Sequence, residues 1–259
     1  MKIAISGKGG VGKTTLSAML TAALALRGRG VIALDADPDA NLAAALGVPI
    51  DRQPIALAEM KQLIAERTGS EGGYGGYFKL NPKVDDLPDK YAARIGTIRL
   101  LVLGGVKKGG GGCICPASAL VKALLAHLIL GRDDAVVMDM EAGIEHLGRA
   151  TGQSMDALVV VVDGGPWSVQ TALRIRRLAG DIGMEKLFAV ANRVGAPGAL
   201  ERIRGELGDI PLIGGVPYDE RIQSAVAHLT DADGLKPTEG LAAHLDTIES
   251  ILSRLQGEA

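Results

Sequence analysis

The chain has 259 residues, near the upper end for one domain and ample for a large core. A net charge of −2 gives no support for non-specific nucleic-acid binding, and 47% hydrophobic against 3% aromatic residues makes the core aliphatic. No apolar run approaches the roughly 20 residues of a membrane span, the N-terminus lacks a signal-peptide pattern, and two cysteines are too few for a disulfide framework, so the expectation is a cytoplasmic protein with neither membrane nor nucleic acid as partner.

Apolar runs alternate with helical stretches along the whole chain. Strands are expected at 2–6, 31–35, 98–103, 135–139, 157–162, 187–191 and 211–214. Helices are expected at 13–27, 57–67, 116–130, 169–182, 199–207 and 241–255. Most strands are continuous Val/Ile/Leu runs, the pattern of strands buried on both faces. The alternation predicts an α/β fold: a mostly parallel central sheet flanked by helices on both faces. Residues 1–259 read as one domain, with ligands at the carboxyl ends of the strands.

The first strand runs into Gly7, Lys8, Gly9, Gly10, Val11, Gly12, Lys13, Thr14 and Thr15, and then into a helix. Gly7, Gly12, Lys13 and Thr14 satisfy the phosphate-loop spacing of Gly, four residues, Gly-Lys-Ser/Thr. Glycines let backbone N–H groups curl around phosphate oxygens with no Cβ in the way. The helix N-terminus adds unpaired donors and partial positive charge. Lys13 would reach the β- and γ-phosphates, and the Thr14 hydroxyl would ligate Mg²⁺.

The second strand ends in Asp35, Ala36, Asp37, Pro38 and Asp39. Alternation puts Asp35 and Asp37 on one side. The same residues also read as a turn capping a helix over 42–46. Residues 69–91 carry three of the four tyrosines and one of the two phenylalanines. So long a loop reads either as a mobile insertion with anchoring aromatics or as a partner-docking segment.

After the strand at 98–103 come Gly109, Gly110, Gly111, Gly112, Cys113, Ile114, Cys115 and Pro116. Both cysteines lie here, one residue apart, so in extended backbone their sulfurs face the same way. Pro116 suits a first helical position. Cys115 then sits at a helix N-terminus, where the field favours negative charge on sulfur. Lys107 and Lys108 add positive charge nearby. Two thiolates are half of a soft-metal site, and a two-fold dimer would assemble four. Softness and geometry allow zinc, nickel or an iron–sulfur cluster. Two small buried side chains or a redox pair are the alternatives. His127, His146, His228 and His244 show no ligand spacing with the cysteines and read mostly as helix or surface residues.

The strand at 135–139 ends in Asp139, which places a carboxylate near Mg²⁺. Glu141 follows, as a metal or partner contact or a solvated charge, and then Gly143. The strand at 187–191 leads into Asn192, Arg193, Val194 and Gly195. Guanine readers commonly carry an Asp where Gly195 stands, so ATP is favoured over GTP.

Lys8, a second lysine just after the loop's first glycine, resembles the deviant Walker A motif of the family containing MinD, ParA, the arsenite-pump ATPase and the nitrogenase iron protein. The resemblance implies that Lys8 crosses a dimer interface to the partner's nucleotide. It implies that Asp37 helps position the attacking water, that Asp139 ends the Walker B strand, and that Gly143 offers its N–H to the γ-phosphate. Asn192 would contact adenine, with Pro217 on the other side of the base. The Cys-x-Cys after a glycine run, together with residues 79–85 and 139–149, resembles the CooC-type maturation factors of carbon monoxide dehydrogenase and acetyl-CoA synthase. That likeness implies an ATPase that binds Ni²⁺, with Zn²⁺ possible in its place, at Cys113 and Cys115. It implies a homodimer formed on nucleotide or metal binding, and apo carbon monoxide dehydrogenase or acetyl-CoA synthase as client. Two rivals stand beside it. An electron-transfer ATPase like the nitrogenase iron protein needs two cysteines far apart in sequence. A positioning ATPase of the MinD type ends in a basic amphipathic helix, whereas the last helix here carries Asp246, Glu249 and a lone Arg254.

Overall fold

A computed structural model describes residues 1–70, 77–104, 115–130, 135–144, 147–195, 197–224 and 236–257. Eight strands form one sheet: β1 (Lys2–Gly7), β2 (Val31–Asp35), β3 (Ala93–Ile95), β4 (Ile98–Val102), β5 (Ala135–Asp139), β6 (Ala157–Val162), β7 (Leu187–Val194) and β8 (Leu212–Pro217). Their order is β3-β4-β2-β5-β1-β6-β7-β8. All pairings are parallel except β3 with β4. The chain fills one side of β1 first and the other side afterwards. The crevice at such a reversal, beyond the carboxyl ends of the strands, is where ligands bind in open α/β sheets.

Alternation along the strands builds two cores. Ile3 and Ile5, Val31 and Ala33, Val137, Val159 and Val161 face one way, against α1 (Lys13–Leu26) and α11 (Leu245–Gln256). Ala4, Ile32, Leu34, Met138, Leu158 and Val160 face the other way, against α3 (Lys61–Thr68), α5 (Pro116–Leu130), α7 (Pro166–Asp181) and α8 (Ala199–Glu206). With both faces covered, a strand needs no polar side, and all six residues of β6 are fully buried. The helices α2 (Leu42–Ala45), α4 (Leu87–Tyr91), α6 (Arg149–Gln153), α9 (Glu220–Ser224) and α10 (Glu239–Ala242) are single turns or little more.

The expected fold class and seven strands are present, with some shifted boundaries. β3 was not expected. Three residues give too little periodicity to read, and β3 exists because a two-residue turn at Gly96 (φ +53°) and Thr97 folds it back on β4. The helix expected over 57–67 is a 3-10 turn (Leu57–Glu59) and then α3, broken at Met60 where ψ is +75°. The helix expected over 241–255 divides into α10 and α11 at His244. Ile248, Ile251, Leu252 and Leu255 of α11 are buried, so its apolar stripe belongs to the core. No described helix is long and apolar enough to cross a membrane.

Part of the long loop at 69–91 is docked. Val84 and Leu87 are buried, and Arg67 grips Asp86 through two hydrogen bonds of 2.8 and 2.7 Å. Tyr77 and Leu80 remain exposed. Residues 71–76 lie outside the described residues.

Candidate nucleotide and metal sites

The phosphate loop leaves β1 at the reversal point. Gly7 has φ +146°, and a Cβ there would lie 2.5 Å from the Val161 carbonyl oxygen of β6. Gly12 is the N-cap of α1 in left-handed conformation, φ +93°. A Cβ on Gly12 would lie 2.1 Å from Asn192 Nδ2. These two glycines are required by close approach as well as by backbone angle. Val11 is buried and anchors the loop from below, Lys13 is 7% exposed, and Lys8, Gly9 and Gly10 are exposed. Thr14 and Thr15 follow in the first turn of α1.

The loop is gripped from β7. Asn192, itself buried, donates from Nδ2 to the Val11 carbonyl at 2.8 Å. The next residue, Arg193, donates from Nη1 to the Gly10 carbonyl at 3.1 Å. Arg193 holds φ +58°, a left-handed conformation that costs a residue with a Cβ about 1–2 kcal/mol. The expected base reader therefore spends its amide nitrogen on the loop. Register pairs Asn192 with Val216 and Val194 with Pro217, so the two sides of the expected base pocket do lie on neighbouring strands. Behind Pro217, Asp219 is held by Arg221 and by His244 Nε2 at 2.8 Å, and the Arg221 guanidinium and then the imidazole keep its carboxyl well below the usual carboxylate range. His244 is thus buried at the N-cap of α11, whereas His127 is exposed on α5.

Two carboxylates stand side by side on the other flank of the loop. Asp35 and Asp139 end adjacent parallel strands in direct register, and both are fully buried. Asp139 Oδ1 accepts from Ser17 at 3.0 Å. Among the described residues its Oδ2 is buried without a hydrogen-bond partner. Burial pushes the Asp139 carboxyl up to about 6, against the nearby Thr14 and Ser17 hydroxyls and the Lys13 charge. Burial likewise raises Asp35 to about 7, with the Asp139 charge adding to it and the Leu42 N–H opposing it.

Such an orphaned oxygen is costly in a folded protein unless something binds it. A carboxylate oxygen, a threonine hydroxyl and phosphate oxygens are the hard donors that Mg²⁺ takes, and Mg²⁺ usually retains several waters beside one or two carboxylates. The residues present therefore fit the cation. Thr14 and Asp139 would hold it, and when bound it would neutralise charge on the β- and γ-phosphates. Asp35 has a different task from Asp139. Its Oδ2 accepts from the Leu42 N–H at 2.8 Å and its Oδ1 from the Asp37 N–H at 3.2 Å, so it pins the start of α2 and the segment between. Asp37 is half-buried; its side chain accepts from Asp39 N–H at 3.0 Å in the turn that the sequence also suggested.

Ser6 was not singled out in the sequence. It is fully buried at the end of β1, its Oγ donates to the Gly143 carbonyl at 2.7 Å, and the Gly143 N–H donates back at 3.2 Å. The N–H expected to meet a γ-phosphate is held by this hydroxyl. Ser17 was missed too; its only signal is a hydroxyl on the buried side of α1, four residues after Lys13.

β4 ends beside β2, where the Leu103 N–H bonds the Asp35 carbonyl at 2.8 Å. α5 returns from the carboxyl side towards β5. Cys115 is its N-cap: its carbonyl accepts from Ala119 N–H at 3.0 Å, and its Sγ accepts from Ser118 N–H at 3.4 Å. Pro116 is the first helical residue, as expected. Cys113 and the glycine run lie outside the described residues. Among the described residues no group of three or more His, Cys, Asp and Glu side chains forms a metal site.

A parallel sheet reversing at β1, a glycine loop entering α1, and buried aspartates ending β2 and β5 define a phosphate-loop nucleotide-binding protein. The chain belongs to the CobQ/CobB/MinD/ParA nucleotide binding domain family, whose profile matches residues 2–230. It is 45% identical over 227 residues to the carbon monoxide dehydrogenase accessory protein CooC of Rhodospirillum rubrum, covering 87% of this chain and 86% of that one. It is 46% identical over 226 residues to an uncharacterized ATP-binding protein of Methanocaldococcus jannaschii, covering 86% and 87%. In fold it is similar to MinD of the Aquifex aeolicus MinC:MinD cell division complex, with a TM-score of 0.69 and 21% identity over 100% of this chain and 96% of that chain.

Proposed function

We propose that residues 1–259 form a single ATP-hydrolysing metallochaperone domain that carries Ni²⁺ to carbon monoxide dehydrogenase or acetyl-CoA synthase. The reading takes its biological direction from the likeness to CooC, a carbon monoxide dehydrogenase accessory protein. The observation that carries it is Cys115 at the N-cap of α5, with a backbone N–H on its sulfur, on the side of the sheet where the phosphate loop opens. One Cys-x-Cys pair supplies two soft ligands, and two-fold pairing supplies four. Nickel is the cargo and ATP the substrate.

In the proposed cycle Cys113 and Cys115 of two chains hold one nickel ion at the dimer seam. ATP binds at Gly9–Thr15, where Thr14 and Asp139 would hold Mg²⁺. Asn192 and Pro217 flank the adenine, and Lys8 completes the partner's site. Asp37 positions the attacking water. Phosphate contact frees Gly143 from Ser6, and the released segment alters the seam so that the ion passes to the client. A population shift of this kind needs about 3–5 kcal/mol of differential binding, within reach of two nucleotides acting on two subunits.

The test is the double substitution C113S/C115S. Metal analysis after nickel titration should show loss of stoichiometric binding while ATP affinity stays within about twofold. Retained stoichiometric nickel would remove the assigned ligands.

A further inference from the structure

Among the described residues two without the freedom of glycine adopt left-handed backbone, Ala40 and Arg193, and both flank the phosphate loop's crevice. Ala40 belongs to the turn after Asp37, whose carbonyl accepts its N–H at 3.0 Å. Arg193 lies where the pairing of β7 with β8 slips, between Asn192 and Val194. Its conformation turns the guanidinium back over the loop, where Nη1 reaches the Gly10 carbonyl at 3.1 Å. The preceding side chain takes the next carbonyl along, Val11, at 2.8 Å. Two adjacent side chains of β7 thus hold two adjacent carbonyls of the loop.

A peptide unit has its N–H opposite its C=O. Fixing a carbonyl outward therefore fixes the following N–H in the other direction. The units clamped here are Gly10–Val11 and Val11–Gly12: the first turns its N–H, that of Val11, back onto the Lys8 carbonyl at 3.4 Å and so closes the loop's turn, and the second aims the Gly12 N–H. Gly10 and Gly12 both sit at positive φ, in a loop with little stiffness of its own. A loop of three glycines in five residues needs outside support to present a ready anion nest, and preorganisation of that kind reduces the ordering cost of binding.

We propose that Arg193 is a positioning residue for nucleotide binding: with Asn192 it clamps the carbonyls of Gly10 and Val11, and so holds the loop's turn closed and the Gly12 N–H aimed at the phosphates. It acts through the loop rather than through the base or its own charge. The inference rests on the nucleotide-binding reading of the loop and deepens it.

Arg193→Gly removes the guanidinium while keeping the left-handed backbone free of strain, and Arg193→Asn, which also tolerates that conformation, serves as a second variant. Dissociation constants are measured by calorimetry for Mg·ADP and for Mg·tripolyphosphate, at low and high salt. Both constants should rise about tenfold, the effect of losing one charge-assisted hydrogen bond. The unfolding midpoint should not fall, and Arg193→Lys should recover most of the affinity. The ratio of variant to wild type should persist at high salt, because screening weakens a bare charge effect but not a fixed loop geometry. Unchanged affinity for both ligands, a loss confined to ADP, or a loss that vanishes at high salt would each overturn the clamp. Wild-type protein that binds neither ligand would overturn the nucleotide reading and the clamp with it.

Discussion

Replacing Asp139 by Asn removes one charge and almost nothing else, since the amide oxygen can still accept from Ser17. The carboxyl is raised from 3.8 to about 6 by burial. At pH 8 the folded protein therefore holds a charge it disfavours by about 3 kcal/mol relative to the unfolded chain. The sign follows from proton counts: between these values the folded state binds the proton and the unfolded state does not, so stability falls as pH rises. Between pH 5 and pH 8 the loss assigned to Asp139 is roughly 1 kcal/mol, the rest falling below pH 5. Urea unfolding of both proteins at the two pH values isolates this part, because the pH-independent cost of an unpartnered amide cancels in the comparison. The D139N protein should lose less stability over that span by about this amount, or more, since it also relieves the neighbouring Asp35. Adding Mg·ADP at pH 8 should stabilise the wild type and have much less effect on D139N. Equal pH slopes for the two proteins would refute the assignment of a strained, metal-awaiting carboxylate.

Ser6→Ala should leave the Gly143 N–H and carbonyl without their shared partner, costing roughly 1–3 kcal/mol in urea unfolding and speeding hydrogen exchange at residues 141–144. Gly12→Ala should abolish ATP binding in a calorimetric titration, because its Cβ would collide with the Asn192 amide. Lys8→Ala should retain ATP affinity but lose hydrolysis in a phosphate-release assay, since Lys8 is exposed and is expected to act on the partner's nucleotide.

Most of the frame was legible because this fold writes itself in short-range patterns. A strand buried on both faces is a run of apolar residues, and a phosphate loop must be spelled with glycines where φ turns positive. The pairing of Asp35 with Asp139 needed the register of β2 on β5, which no local pattern carries. Ser6 and Ser17 are single hydroxyls within apolar segments, and their meaning lies in partners more than 100 residues away in sequence. Arg193 was visible only as the residue after Asn192. Its backbone angle, which turns it onto the loop, follows from the irregular pairing of β7 with β8 at that point rather than from residue type. β3 and the break at Met60 were hidden for a simpler reason: three residues and one ψ angle leave no periodic trace.

In the proposed cycle two chains must share one nickel ion. Equilibrium sedimentation with a non-hydrolysable ATP analogue, Mg²⁺ and excess Ni²⁺, followed by elemental analysis of the sedimenting species, measures both quantities together. The expected result is a two-chain species with one nickel ion, and a single-chain species under those conditions would contradict it.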